Sequence, residues 1–112
     1  KNDLLSFLIK QKKTGKRVVA YGAAAKGNTL LNYAGVKSDL IPFICDAAPA
    51  KQGKYAPGSH IPILPPSALS SGFWHFILIL PWNIAREIMV ENSELTASGT
   101  KFVVAVPEMR TL

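Results

Sequence analysis

Arg17-Val-Val-Ala-Tyr-Gly-Ala-Ala-Ala-Lys-Gly-Asn-Thr29 decides the fold. Residues 17–21 are apolar, rich in β-branched side chains and preceded by Gly15, so they read as a short buried strand. Residues 22–27 carry glycine at both ends and read as a tight loop. Residues 28–36 then read as a helix. Strand, glycine-bearing turn and helix, in that order, open a nucleotide-binding βαβ unit. Gly22, Ala24 and Gly27 fit G-x-G-x-x-G with alanine at the second glycine. The first glycine permits the sharp turn, and the third allows the helix to pack close to the strand. Ala24 adds a methyl group where the backbone normally approaches a pyrophosphate. Asp46, closing the next expected strand, stands where a ribose-binding acid belongs. A G-x-x-x-x-G-K phosphate loop is excluded, because Asn28 and Thr29 replace Lys-Ser/Thr. A packing turn without a ligand fits the same residues, and this stretch alone leaves both readings open.

Working outward, the 112 residues suit one domain, 1–112. Hydrophobic residues make up 48% and charged residues 18%, enough apolar material for a core and too little charge for disorder. No apolar run reaches the roughly 18 residues that span a membrane. The amino end, Lys1-Asn2-Asp3, leads into an amphipathic helix and carries neither an initiating Met nor a signal peptide. A fragment of a longer, cytoplasmic protein is therefore expected.

The formal net charge is +6. Lys10, Lys12, Lys13, Lys16 and Arg17 cluster where a helix ends, and a solvated face explains them. No aromatic-basic interleaving points to nucleic acid. An anionic small ligand such as a nucleotide accounts for Lys26, Lys51 and Lys54. Cys45 is single and lies in an apolar strand, which reads as a buried thiol in a reducing compartment. One cysteine and two histidines give no metal-ligand cluster.

Taken in order, residues 3–13 read as a helix capped by Asp3 and stopped at Thr14-Gly15. After the first strand, loop and helix, Gly35 ends the helix, and residues 41–46 form a second strand of the continuous apolar kind found in parallel sheets. Residues 47–63 are punctuated by Pro49, Gly53, Pro57, Gly58 and Pro62, the mark of a long functional or mobile loop. Residues 60–63 fit a short edge strand, and residues 65–69 one helical turn. Residues 74–80 form the third long strand, running into Pro81-Trp82-Asn83. Asn83 caps a helix over 84–90, residues 93–100 form a loop, and residues 101–106 form the last strand. This alternation predicts a Rossmann-like, doubly wound α/β domain: a mostly parallel sheet of about five strands, helices on both faces, in the order 3-2-1-4-5. Residues 22–27 and 81–83 then emerge at one edge, where such sheets bind ligands.

Several ordered blocks resemble one family. Tyr21-Gly-Ala-Ala-Ala-Lys-Gly-Asn-Thr-Leu-Leu-Asn32 is similar to the signature of the carboxyl-terminal domain of sugar C-methyltransferases. Asp46 with Pro49-Ala-Lys-Gln-Gly53 resembles its second block, Tyr55-Ala-Pro-Gly-Ser-His60-Ile-Pro-Ile63 its third, and Leu80-Pro-Trp-Asn83 its fourth. The resemblance implies a parent enzyme that methylates a carbon of a nucleotide-linked deoxysugar with S-adenosylmethionine. It implies a zinc-binding domain and a catalytic methyltransferase domain ahead of this one. The methyl donor and zinc are thus expected elsewhere in the parent, with no cofactor and no catalytic residue in this domain. The implied partners are a nucleotide-linked sugar and the preceding methyltransferase domain, with no nucleic acid and no membrane.

On that reading the substrate-binding candidates are Gly22, Ala23, Ala24, Ala25, Lys26, Gly27, Asn28, Thr29, Asp46, Lys51, His60, Pro81, Trp82 and Asn83. Lys26 adds charge to backbone donors at a helix start and suits a diphosphate; a solvated lysine is the alternative. Asn28 and Thr29 donate to the same ligand or cap the helix. Asp46 accepts from a hydroxyl or caps the following turn through an Asx interaction. Lys51, Tyr55 and His60 cover the ligand or touch the neighbouring domain, while His75 reads as structural. Trp82 stacks on a base or packs across an interface. Asn83 is cap or donor. Two competing readings are a bracing module without a ligand and an ordinary NAD-binding domain, against which Ala24 counts.

Overall fold

The computed structural model describes residues 2–112; Lys1, part of the expected lead into the first helix, lies outside the described residues. Helix α1 spans Asn2–Lys13. Leu4 and Leu8 lie one turn apart on its buried side, and Lys10, Lys12 and Lys13 fill its last turn, where cations meet the negative end of the helix. Asp3 lies inside the first turn and not at the cap expected of it.

Strand β1 is Val18–Tyr21 and helix α2 is Ala25–Ala34. The helix starts three residues before the predicted Asn28. Ala24 is its extended N-cap, at φ −87 and ψ 154, and makes no side-chain capping bond. Ala25 and Lys26 are good helix formers, so the helix propagates back through the glycine pattern to the end of the turn. The loop is therefore Gly22, Ala23 and Ala24 alone. Gly35 ends the helix as expected.

Strand β2 is only Ile44–Cys45, shorter than the predicted 41–46. Pro42 has no N–H to give a ladder, and the Ile41 N–H is spent on the Lys37 carbonyl. Strand β3, Ile63–Leu64, is an edge strand as expected but starts at the last residue of the expected 60–63, and a 3₁₀ helix follows at Pro66–Ser71. Strand β4 is Phe76–Ile79. A 3₁₀ turn at Trp82–Ile84 leads into helix α3, Ala85–Glu91. Helix α4, Ser93–Ala97, occupies the stretch expected to be a loop. Strand β5 is Lys101–Val104 and strand β6 is Arg110–Thr111.

The sheet runs β3-β2-β1-β4-β5-β6. Its first five strands pair in parallel and carry the predicted order. β6 adds an antiparallel sixth strand through Val103↔Thr111 and Val104↔Arg110. Two exposed residues show no alternation, so the pattern that reveals a half-buried strand is absent there.

Successive strand residues point to opposite faces. Val18, Ala20, Ile44, Ile63, Leu78 and Val103 pack with α1 and α2. Val19, Tyr21, Cys45, Ile77, Ile79, Phe102 and Val104 pack with α3, Leu69 and Trp74. Helices thus cover both faces, which is why the strands read as unbroken apolar runs. Among the described residues no helix is long and apolar enough to cross a membrane.

Candidate functional site

The crossovers bring two turns together at the carboxyl ends of β1 and β4. Gly22 takes φ 91, which glycine alone adopts without strain, and it abuts the next strand's exit. A Cβ there would lie 2.4 Å from Pro81 Cδ. The Ala24 N–H donates to the Gly22 carbonyl at 2.9 Å, and the Trp82 N–H donates to the Leu80 carbonyl at 2.9 Å. Both are bonds across a single residue, the tightest reversal a backbone makes. Gly27 faces the sheet, where a Cβ would lie 2.6 Å from Leu80 Cβ. Its place in the pattern therefore does what the spacing predicts: it sets helix against strand.

Asp46 holds the glycine turn from the neighbouring strand. Its Oδ2 accepts the Ala23 N–H and its Oδ1 accepts the Ala48 N–H, each at 2.8 Å. The Ala48 bond is the Asx interaction foreseen for this residue. Lys51 joins the same knot. Its ammonium donates to the Ala23 carbonyl at 3.0 Å and stands 3.9 Å from Asp46 Oδ2. The Gln52 side chain donates to the Asp46 carbonyl at 2.8 Å. Asp46 and Lys51 thus order the loop through contacts within the chain.

A cleft of about 300 Å³ opens beside this knot. Gly22, Ala24, Asp46, Ala47, Lys51 and Pro81 line it, as do Tyr21, Ile84, Ile88 and Glu91. Ala47 and the last four are residues that sequence reasoning passed over. Ile84, Ile88 and Glu91 follow i, i+4, i+7 spacing, so one face of the α3 segment is a readable signal. The buried Asn92 side chain donates to the Ile88 carbonyl at 2.8 Å, at the end of α3 beside Tyr21. Burial, chiefly, and the charges of Glu91 and Asp46 among others push that phenol above its ordinary range.

At the rim, Lys26 Nζ sits 5.9 Å from the Trp82 ring centroid. The two loops therefore share one side of the sheet. Contact at that distance contributes about 0.5–1 kcal/mol at an exposed site. Lys26 lies in the first turn of α2, where N–H groups lack intrahelical acceptors. Trp82 packs partly against the core under α3.

The other candidates fall elsewhere or are engaged. Ala23 is buried beneath the turn, and Ala25 is exposed at the helix start. The Thr29 hydroxyl donates back to the Ala25 carbonyl at 3.1 Å, so it caps nothing. Asn28 Oδ1 is buried without a partner. Asn83 is exposed within the 3₁₀ turn, and Ile84 takes the cap position of α3 with no side-chain bond; the expected Asn83 cap is not formed. His60 is exposed at φ 58, its ring 6.4 Å from that of Tyr55, and is not part of the cleft lining. His75 is structural: its Nδ1 accepts the Arg17 N–H at 3.0 Å. Cys45 is fully buried, and burial, with the Asp46 charge adding to it, pushes its thiol up to about 12. Among the described residues no group of three or more His, Cys, Asp and Glu could hold a metal ion.

Two comparisons place the chain as a whole among known proteins. Residues 1–107 match the model of a family described as the C-methyltransferase C-terminal domain. The chain is also 40% identical over 98 residues to the C-methyltransferase NovU of Streptomyces niveus, an alignment covering 88% of this chain. It spans only 23% of that relative's length.

Proposed function

This chain belongs to the C-methyltransferase C-terminal domain family, and from that membership we propose that it binds a nucleotide-linked sugar and positions it for methyl transfer by a preceding catalytic domain. The observation that carries the reading is the meeting of the Gly22 turn and Pro81 in one strand-end cleft, with Lys26 and Trp82 together at its rim. Such crevices are where doubly wound sheets take nucleotides. Lys26 and the open N–H groups of α2 suit the diphosphate, and the Trp82 face suits a ring beside it.

The role is positioning. Holding the sugar beside a base and a methyl donor makes the reaction effectively intramolecular, an effect that reaches about 7–11 kcal/mol in well-oriented systems. In this reading S-adenosylmethionine supplies the methyl group in another part of the parent, zinc is held there too, and the pathway is cytoplasmic deoxysugar biosynthesis. The chain itself supplies no catalytic group.

The test is calorimetric titration of the chain with uridine and thymidine diphosphate glucose. Binding in at least one series is expected, weakened by about fivefold in Lys26→Ala, the loss of one charge-assisted phosphate contact. No binding of either compound at millimolar concentration removes the proposal. A bracing role is the second reading. It is favoured by a groove of about 810 Å³ lined by α3, α4 and the carboxyl end, where Val90 is 70% exposed. A chain that binds no nucleotide sugar yet associates with the catalytic part of its parent would support bracing instead.

A further inference from the structure

The charges of the cleft and its rim have opposite sign. The chain as a whole is basic, at +6, yet the ionisable carboxylate and ammonium groups lining the cleft are Asp46, Glu91 and Lys51. Lys51 is committed to the Ala23 carbonyl and to Asp46. Asp46 is compensated by that lysine and by two backbone N–H groups. Glu91 has no ion pair among the described residues, and it lines the cleft together with Tyr21, whose hydroxyl its charge reaches. The uncompensated charge within the cleft is therefore negative, and the free ammonium, Lys26, is outside it at the rim.

An anion lodged between Asp46 and Glu91 would meet like charge. Resting on the nucleotide-sugar reading, we propose that the ligand is split by charge: the diphosphate stays at the Lys26 rim, and the cleft takes the sugar ring, selected by Glu91 to carry no negative group. A sugar hydroxyl donates to the Glu91 carboxylate, and Ile84, Ile88 and Pro81 cover the apolar faces of the ring. Discrimination comes from the repulsive element as much as from the attractive one, since a carboxylate-bearing sugar would face Glu91 with nothing to neutralise it. Glu91 is in this sense a specificity-determining residue, exposed on the last turn of α3 and dispensable for the core.

Matched ligands test this directly. Glucose and glucuronate nucleotides differ at one carbon, hydroxymethyl against carboxylate. The chain and its Glu91→Gln variant are titrated with the nucleoside diphosphate, its glucose form and its glucuronate form, in whichever base series binds more tightly. The glucose form is expected to bind the wild type about tenfold more tightly than the glucuronate form, as one like-charge contact implies. Glu91→Gln is expected to narrow that ratio at least threefold, about half of a tenfold gap on the free-energy scale, mainly by improving the glucuronate form. Equal binding of the two sugar forms, with the free nucleotide also binding, overturns the charge split and leaves the proposed function standing. A ratio unchanged in Glu91→Gln removes Glu91 from the selection. No binding by any of the three compounds overturns both proposals.

Discussion

Asp46 accepts two backbone N–H groups, those of Ala23 and Ala48, and so ties the end of β2 to the glycine turn. Its neighbour Cys45 carries a consequence for stability. The folded thiol titrates at about 12 and the ordinary one at 9.0, because burial disfavours the thiolate. The folded chain thus keeps a proton that the unfolded chain releases. The contribution is complete below about pH 9 and is lost as pH rises toward 12, with a slope of at most about 1.4 kcal/mol per pH unit. Urea midpoints at pH 8 and pH 10.5 should fall further in the wild type than in Cys45→Ala. An equal fall in both would place the alkaline sensitivity elsewhere.

At the scale of elements, α2 lies close against Leu80, the residue that follows β4. Gly27 permits this approach, since Leu80 fills the space a side chain would need. Alanine is favoured over glycine in a helix by about 1 kcal/mol, while overpacking costs about 1–3 kcal/mol. Gly27→Ala is therefore expected to destabilise the chain by up to about 2 kcal/mol in a denaturant titration, and a stabilised variant would show that the helix can move away freely. Most of the elements were readable from residue order: α1, β1, β4 and α3 fall where apolar spacing puts them, while the edge strand begins at the last residue of its expected range. The misplaced features share a cause. The α2 start, the absent Asn83 cap and the α4 segment depend on which backbone groups find partners, and a local pattern does not say so.

For the whole molecule, one sheet serves two cores, α1 and α2 on one side and α3 with Leu69 and Trp74 on the other. Neither core can lose its sheet and keep the other. Unfolding followed by circular dichroism and by tryptophan emission should give coincident transitions; separated midpoints would mean that the faces melt independently. Residue order by itself determined the parallel sheet and its strand order, because buried strands joined by helices have almost one way to wind. It also determined that the Gly22 and Pro81 turns leave by the same edge. Only the tertiary structure decided which groups those turns leave free. Asp46, Lys51 and Thr29 bond to backbone atoms of the chain, while Tyr21, Ile84, Ile88 and Glu91 come to line the cleft. Hydrogen-bond partners and cavity walls are set by distances between segments far apart in the chain, and no window of sequence holds those distances.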